Sequence, residues 1–312
     1  MSANRLNIIS VDAGVRKKEN VGGPSRKSLE REEIKARFDR LWLRNPEKLD
    51  PRKNCLDRER ILRTFNLISS HIDLKGIRVV DLGCGNGVLA RMLRDHGASV
   101  DALDISSNAL KEFIKEGDEG IEVTQDYVPY TKLKDKTYDL VVCTDVLADI
   151  LPKLHRLLFS EVARIIHPDG IFICSTPIDI FSSDALSRFS EIASTEFDLL
   201  VWDISYHRLH QHAKNFLNSP EEFAKVLNNP SYRKQELHER SGLSRLWFKV
   251  NTSTPIAWFW KFVKPLCKPA IKLLNNNRQL LLLMEKISRL AWDQSAISNV
   301  VFVGKRKKLD FF

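Results

Sequence analysis

The chain has 312 residues, 43% of them hydrophobic and 29% charged, the balance of a soluble globular protein with material for one large domain or two modest ones. Its five cysteines are scattered, with no CxxC pair and no histidine at zinc-ligand spacing, which argues against a disulfide framework or a structural zinc and for reduced thiols in a cytoplasmic compartment. The net charge is +9, and no apolar run approaches the roughly 20 residues that span a bilayer, so the pattern is not that of an integral membrane protein.

In chain order, residues 1–28 read as a polar, basic, disordered tail without a signal-peptide core. Residues 29–49 and 58–71 carry apolar residues at helical spacing (Ile34, Phe38, Leu41 and Trp42, then Ile61, Leu62, Phe65 and Ile68), so 29–76 forms an N-terminal pair of helices. The texture then changes to strands alternating with helices. Strands are expected at Arg78–Leu82, Ser99–Asp104, Ile121–Val123, Tyr138–Thr144 and Ile171–Ser175. Helices are expected at Val88–His96, from Ser106 to Glu116, and at Lys153–Ile166, and His167–Gly170 is expected to turn. Such alternation implies an α/β fold with a parallel sheet and helices on both faces, its ligands beyond the carboxyl ends of the strands.

After Pro177 the pattern loosens. Ser219-Pro220-Glu221-Glu222 reads as a helix start, Leu246–Val250 as a sixth strand and Val300–Val303 as the last. The core is assigned to 77–254, an amphipathic basic helical insertion to 255–294, and the last strand with a basic tail to 295–312. Pro265 and Pro269 are expected to break or kink a helix in the insertion.

Charge is unevenly spread. Ile77–Pro177 holds sixteen Asp/Glu against eleven Lys/Arg, whereas Asn251–Phe312 holds eleven Lys/Arg against three Asp/Glu. The basic end implies an anionic partner, a membrane surface or nucleic acid, or else a solvated basic face. Trp258, Phe259, Trp260 and Phe262 interleave with Lys261, Lys264, Lys268 and Lys272. That pattern fits an interfacial membrane helix, a lid over an apolar substrate, or plain packing. Lys305–Lys308 adds a further basic cluster.

The chemistry concentrates in Asp81-Leu82-Gly83-Cys84-Gly85-Asn86-Gly87, between a strand and a helix. Glycines there allow a sharp turn and close backbone approach to a ligand, and the helix offers free amides. The third glycine comes one residue too early for a dinucleotide fingerprint, and the Lys-Ser/Thr ending of a P-loop is absent. Asp104 closes the second strand, where a carboxylate can accept ribose hydroxyls, and Asp126 follows the third.

This stretch resembles motif I of class I S-adenosylmethionine-dependent methyltransferases, Asp/Glu-x-Gly-x-Gly-x-Gly. Tyr138–Cys143 and His167–Gly170 resemble that family's fourth-strand run and the turn before its fifth strand. The resemblance implies a Rossmann-like, seven-stranded, mostly parallel sheet, and S-adenosylmethionine as cofactor. It implies that the glycine loop, Gly83, Cys84, Gly85 and Gly87 after Asp81, packs on the methionine part, that Asp104 binds the ribose and that Asp126, preceded by Gln125, contacts the adenine amine; Ile105, Tyr127, Thr144 and Asp145 complete the expected cofactor-binding set.

The Asn/Asp-Pro-Pro-Tyr/Phe motif of amino-methylating nucleic-acid enzymes is missing, and no Pro-Cys pair supplies a cytosine nucleophile. Ser175-Thr176-Pro177 and the passage from His207 to Phe216 resemble the small-molecule branch, including ubiquinone-pathway O-methyltransferases. That branch carries Glu-x-x-Glu-His after the fourth strand, and Asp149 stands here where the histidine would be. A hydroxyl acceptor needs a base, and His210, His212 and His207 are the candidates. The expected enzyme methylates a small, apolar, quinone- or lipid-like acceptor, needs no metal, and works in the cytoplasm, touching the inner face of the membrane transiently through 255–294. The competing readings are an RNA or protein methyltransferase gripping its substrate with the basic C-terminal region, and a cofactor-binding regulator without catalysis.

Overall fold

A computed structural model of the chain describes residues 26–178, 185–239 and 241–307. The N-terminal helices are α1 (Arg26–Arg44), α2 (Pro46–Leu49) and α3 (Cys55–His71). The expected single helix over 29–49 stops at Arg44 because Pro46 lacks an N–H and pushes Asn45 out of the helical region, to φ −145° and ψ 54°.

Two strand–helix units and a third strand follow: β1 (Arg78–Leu82), α4 (Val88–Asp95), β2 (Ser99–Asp104), α5 (Ser107–Glu116) and β3 (Ile121–Gln125). The Ser106 hydroxyl caps α5 by accepting from the Ala109 N–H. Next come β4 (Tyr138–Thr144), α6 (His155–Ile165), β5 (Ile166–Pro177), α7 (Ala185–Ala193) and β6 (Phe197–Ser205). The His167–Gly170 turn is a bulge inside β5: Tyr138 pairs with Ile166 and Leu140 with Ile171, so the residues between loop out of the ladder.

The remaining helices, α8 (Arg208–Asn228), α9 (Pro230–Glu239), α10 (Gly242–Asn251), α11 (Thr254–Asn276) and α12 (Arg278–Trp292), all lie between β6 and the last strand, β7 (Asn299–Arg306). The helical insertion before the last strand is therefore present. Three local expectations are corrected. Leu246–Val250 is not a strand but part of α10, where Phe248 is fully buried and Leu243, Leu246, Trp247 and Val250 share the exposed face. The sixth strand is Phe197–Ser205 instead. Ser219-Pro220 does not start a helix but lies inside α8, and Pro265 and Pro269 lie inside an unbroken α11. Packing overrides the proline cost in both helices: α8 and α11 lie against each other around Phe223, Val226, Phe248 and Ala257.

The sheet order is β3-β2-β1-β4-β5-β7-β6, with β7 antiparallel to both neighbours and the other strands parallel. Alternate side chains serve two cores. Val80, Leu82, Val141, Phe172 and Phe302 pack with α6 and α7, while Val79, Val100, Leu140, Val142 and Ile173 pack with α3, α4 and α5. The chain winds outward from β1 through β2 and β3, then returns to add β4 on the other side of β1. That reversal opens a crevice at the carboxyl ends of β1 and β4, where α/β sheets take their ligands.

Candidate active site

A cavity of about 540 Å³ occupies that crevice. Its floor is the glycine turn. Gly83, Gly85 and Gly87 have φ of +77°, +55° and +77°. A Cβ at Gly83 would stand 2.2 Å from Val146, and one at Gly85 would stand 3.2 Å from Trp42. Only glycine lets this backbone line the cavity. Gly87 lies behind it as the residue preceding α4.

Asp104 sits at the end of β2 with both oxygens placed. One accepts the Ser106 N–H at 2.8 Å and the other the Gly85 N–H at 3.0 Å, so the carboxylate ties the glycine turn to the second strand. Burial pushes its pKa up, against those hydrogen bonds. Asp81 is 1% exposed, and its Oδ1 has no hydrogen-bond partner while the residue lines the cavity. Burial and the nearby Asp104 raise its pKa to about 7. An orphaned buried carboxyl oxygen on a ligand cavity wants a donor or a cation. Asp126 is more committed: its oxygens accept the N–H groups of Tyr127 and Lys132 at 2.8 Å each, and Arg31 approaches at 3.8 Å. The Cys84 thiol is buried, and burial holds it well above the ordinary thiol pKa, as for a packing residue rather than a nucleophile.

Asp145 follows β4 in the left-handed region, φ +60°, a strained conformation for a non-glycine residue. Its N–H reaches the Ser175 carbonyl at 2.9 Å, and its carboxylate accepts from Ser175 Oγ, from Asn299 Nδ2 and from the guanidinium of Arg60. Arg60 also pairs with Asp57 at 3.2 Å. Asp149 accepts from Arg37 at 2.9 Å, and burial raises its pKa despite that arginine.

The N-terminal helices thus roof the rim through specific pairs: Arg31 with Asp126, Arg37 with Asp149, and Arg60 with Asp145. Asp39 of α1 adds hydrogen bonds from Ser106 Oγ at 2.8 Å and from Ser107 Oγ at 3.2 Å, at the start of α5. Burial would raise its pKa, but the Lys35, Ser106 and Asn108 donors outweigh it and hold the carboxyl at about 2. Ile34, Phe38, Trp42, Ile61 and Thr64 complete the roof of the cavity. Ile34, Phe38 and Trp42 share a helix face in the sequence, but no local signal links them to the site, and Arg60 belongs to no motif.

Of the residues expected to hold a cofactor, Asp81, Gly83, Cys84, Gly85, Asp104, Ile105, Asp126, Tyr127, Thr144 and Asp145 line this one cavity. Gln125 does not; its Nε2 donates to the Ile105 carbonyl and braces the turn after β2. The three histidines also lie off the cavity lining. His207 and His210 are each 1% exposed, the first bonded to Ser298 Oγ at 3.1 Å and the second to the Leu274 carbonyl at 3.3 Å. His212 is exposed and accepts from Arg208 Nε at 3.2 Å.

Burial lowers the His207 pKa to about 4. A histidine with a folded pKa below its unfolded 6.5 contributes full stability above pH 6.5 and loses it as the pH falls toward 4, by about 3 kcal/mol. Asp81 acts in the opposite sense, since its raised pKa costs stability as the pH climbs from 3.8 through 7. Thermal denaturation across pH 4–7 is therefore expected to differ between variants: His207→Gln loses the acid-side decline, and Asp81→Asn loses the neutral-side one. Parallel curves for wild type and both variants would contradict the assignment.

Part of the chain is similar to known proteins. Residues 80–174 match the family model described as "Methyltransferase domain". Over 109 residues the chain is 36% identical to ribosomal protein L11 methyltransferase of Thermotoga neapolitana, covering 34% of this chain and 39% of that protein. Over 114 residues it is 35% identical to cyclopropane-fatty-acyl-phospholipid synthase of Escherichia coli, covering 36% of this chain and 29% of that one. Over 126 residues it is 29% identical to ubiquinone biosynthesis O-methyltransferase of Rickettsia canadensis, covering 39% and 52%. The N-methyltransferase NodS of Bradyrhizobium japonicum overlays with a TM-score of 0.47 at 15% identity, over 55% of this chain and 89% of that one. The chain thus spans between 29% and 52% of the length of these three curated relatives. The matched segment is a methyltransferase domain of the S-adenosylmethionine-dependent class I type, on a Rossmann-like sheet.

Proposed function

We propose that the chain transfers the methyl group of S-adenosylmethionine to the oxygen or carbon of a small, largely apolar, quinone- or lipid-like acceptor. The observation that carries this reading is the roof. The cavity holding Asp104 and the glycine turn continues beneath Ile34, Phe38, Trp42 and Ile61, and a concave enclosure in which these apolar side chains face the carboxylates at the strand ends suits a small molecule.

S-adenosylmethionine, when bound, supplies a methyl group on a positively charged sulfur. Gly83, Gly85 and Asp104 would hold it, and the orphaned Asp81 oxygen would offer an acceptor to one of its cationic groups. The rest of the chain's work is positioning: the apolar roof excludes water and holds the acceptor against the glycine turn. With no histidine on the cavity wall, Asp149 is the group that takes a hydroxyl proton. It lines the cavity, and its burial makes the carboxylate more basic than usual. The names of two relatives, one acting in ubiquinone biosynthesis and one on phospholipid acyl chains, agree with such an acceptor.

A macromolecular acceptor is the second reading, favoured by the basic C-terminal helices; the roof over the rim speaks against it. Incubation with methyl-labelled S-adenosylmethionine and separate lipid, RNA and protein fractions decides between them. Label is expected in the organic phase. Label confined to RNA or protein would overturn the small-acceptor reading.

A further inference from the structure

Two consecutive helices turn their apolar stripes toward solvent. On α10 these are Leu243, Leu246 and Trp247, at 85%, 58% and 60% exposure. On α11 they are Trp258, Phe259, Phe262 and Leu266, the last two at 70% and 76%. An ordinary surface helix does the reverse and hides its apolar stripe. On α11 the inward face is already occupied: Ala257 and Trp260 pack with Phe223 of α8. The outward stripe is thus a second apolar face, larger than solvent exposure of scattered residues accounts for.

Its electrostatic surroundings identify what covers it. Residues 242–276 contain six Lys/Arg and no Asp or Glu. Lys261, Lys264, Lys268 and Lys272 recur every three or four residues, forming a row beside the aromatic stripe. Lys261 lies 4.6 Å from the Trp258 ring centre, and Lys264 lies 3.5 Å from Glu221 of α8. Pro265 and Pro269, both exposed, leave the carbonyls of Lys261 and Pro265 without helical N–H donors. Unpaired carbonyls are tolerated among hydrated headgroups but not among acyl chains. No described helix is long and apolar enough to cross a membrane.

We propose that α10 and α11 form an in-plane docking face for an anionic phospholipid bilayer, with the aromatic stripe at the headgroup–acyl boundary and the lysine row on the headgroups. A second copy of the chain fits poorly. Two-fold packing sets a patch against itself, and a stretch with no acidic residue would bring lysine row against lysine row. The docking face stands whether or not the acceptor reading holds.

The test is flotation of the purified chain with vesicles of phosphatidylcholine alone and of phosphatidylcholine mixed with phosphatidylglycerol. The chain is expected to float with the anionic vesicles only and to be released by high salt. Phe262→Glu with Leu266→Glu, and separately Lys268→Glu with Lys272→Glu, are each expected to weaken partitioning by about tenfold or more. Circular dichroism and S-adenosylmethionine titration of each variant verify folding and the cofactor site, neither of which should change. The proposal is overturned if the wild type fails to float, if it partitions equally onto neutral vesicles, or if folded variants float as the wild type does. A concentration-dependent dimer that Phe262→Glu abolishes, without flotation, would assign the face to self-association instead.

Discussion

Asp104→Ala is expected to weaken S-adenosylmethionine binding by about a hundredfold in calorimetric titration. The carboxylate already accepts two backbone N–H groups, from Ser106 and Gly85, and lines the cavity with its remaining lone pairs. Hydrogen bonds to an ionised acceptor are worth about 1.5–3 kcal/mol each. Losing two from a ribose diol removes about 3 kcal/mol, which is about two decades in Kd. The alanine also frees Gly85, so the turn itself loosens. Asp104→Asn keeps an acceptor oxygen and is expected to fall between the two. An Asp104→Ala protein that binds as tightly as wild type would remove Asp104 from the cofactor site.

Gly87→Ala is expected to lower folding stability by about 2–5 kcal/mol, read from the denaturant midpoint, the sum of a left-handed backbone and an overpacked core. Gly87 has φ +77°, and a Cβ there would lie 2.0 Å from the ring of Phe113, which is fully buried on α5. Gly76→Ala separates the two causes. Gly76 has φ +78° with nothing within 4 Å of a new Cβ, so only the backbone cost of about 1–2 kcal/mol applies. Equal losses for the two variants would show that contact with Phe113 costs nothing.

Much of the sheet was legible because its signals are local. The strands at Arg78–Leu82 and Tyr138–Thr144 are short, mostly apolar runs with one aspartate each, Asp81 and Asp139, and the glycine turn announces its backbone conformation residue by residue. The sixth strand was not, because Phe197–Ser205 is an edge strand paired only with β7 and carries Asp198 and Asp203 among its apolar residues. Leu246–Val250 misled for a complementary reason: a short apolar run reads equally as strand or helix until Phe248 is seen packing on Phe223.

The residues expected to hold the cofactor came from the same local grammar, and ten of the twelve line one cavity. The roof did not. Trp42 reaches Gly85 across the fold, and Arg60 reaches Asp145 from a helix that precedes the sheet. Such pairings exist only once the N-terminal helices have docked. The histidines around His207 illustrate the converse. Their residue type suggested catalysis, yet His207 is tied to Ser298, and Arg63 beside it pairs with Glu285, a polar junction between α3, α12 and the strand ends.

Titration of the wild-type chain with S-adenosylmethionine by calorimetry tests the central claim most directly. A single saturable site of micromolar affinity is expected, displaced by S-adenosylhomocysteine. A folded chain that takes up no heat at any concentration of the ligand, with no protection against thermal unfolding, would contradict the account and leave the cavity without its proposed occupant.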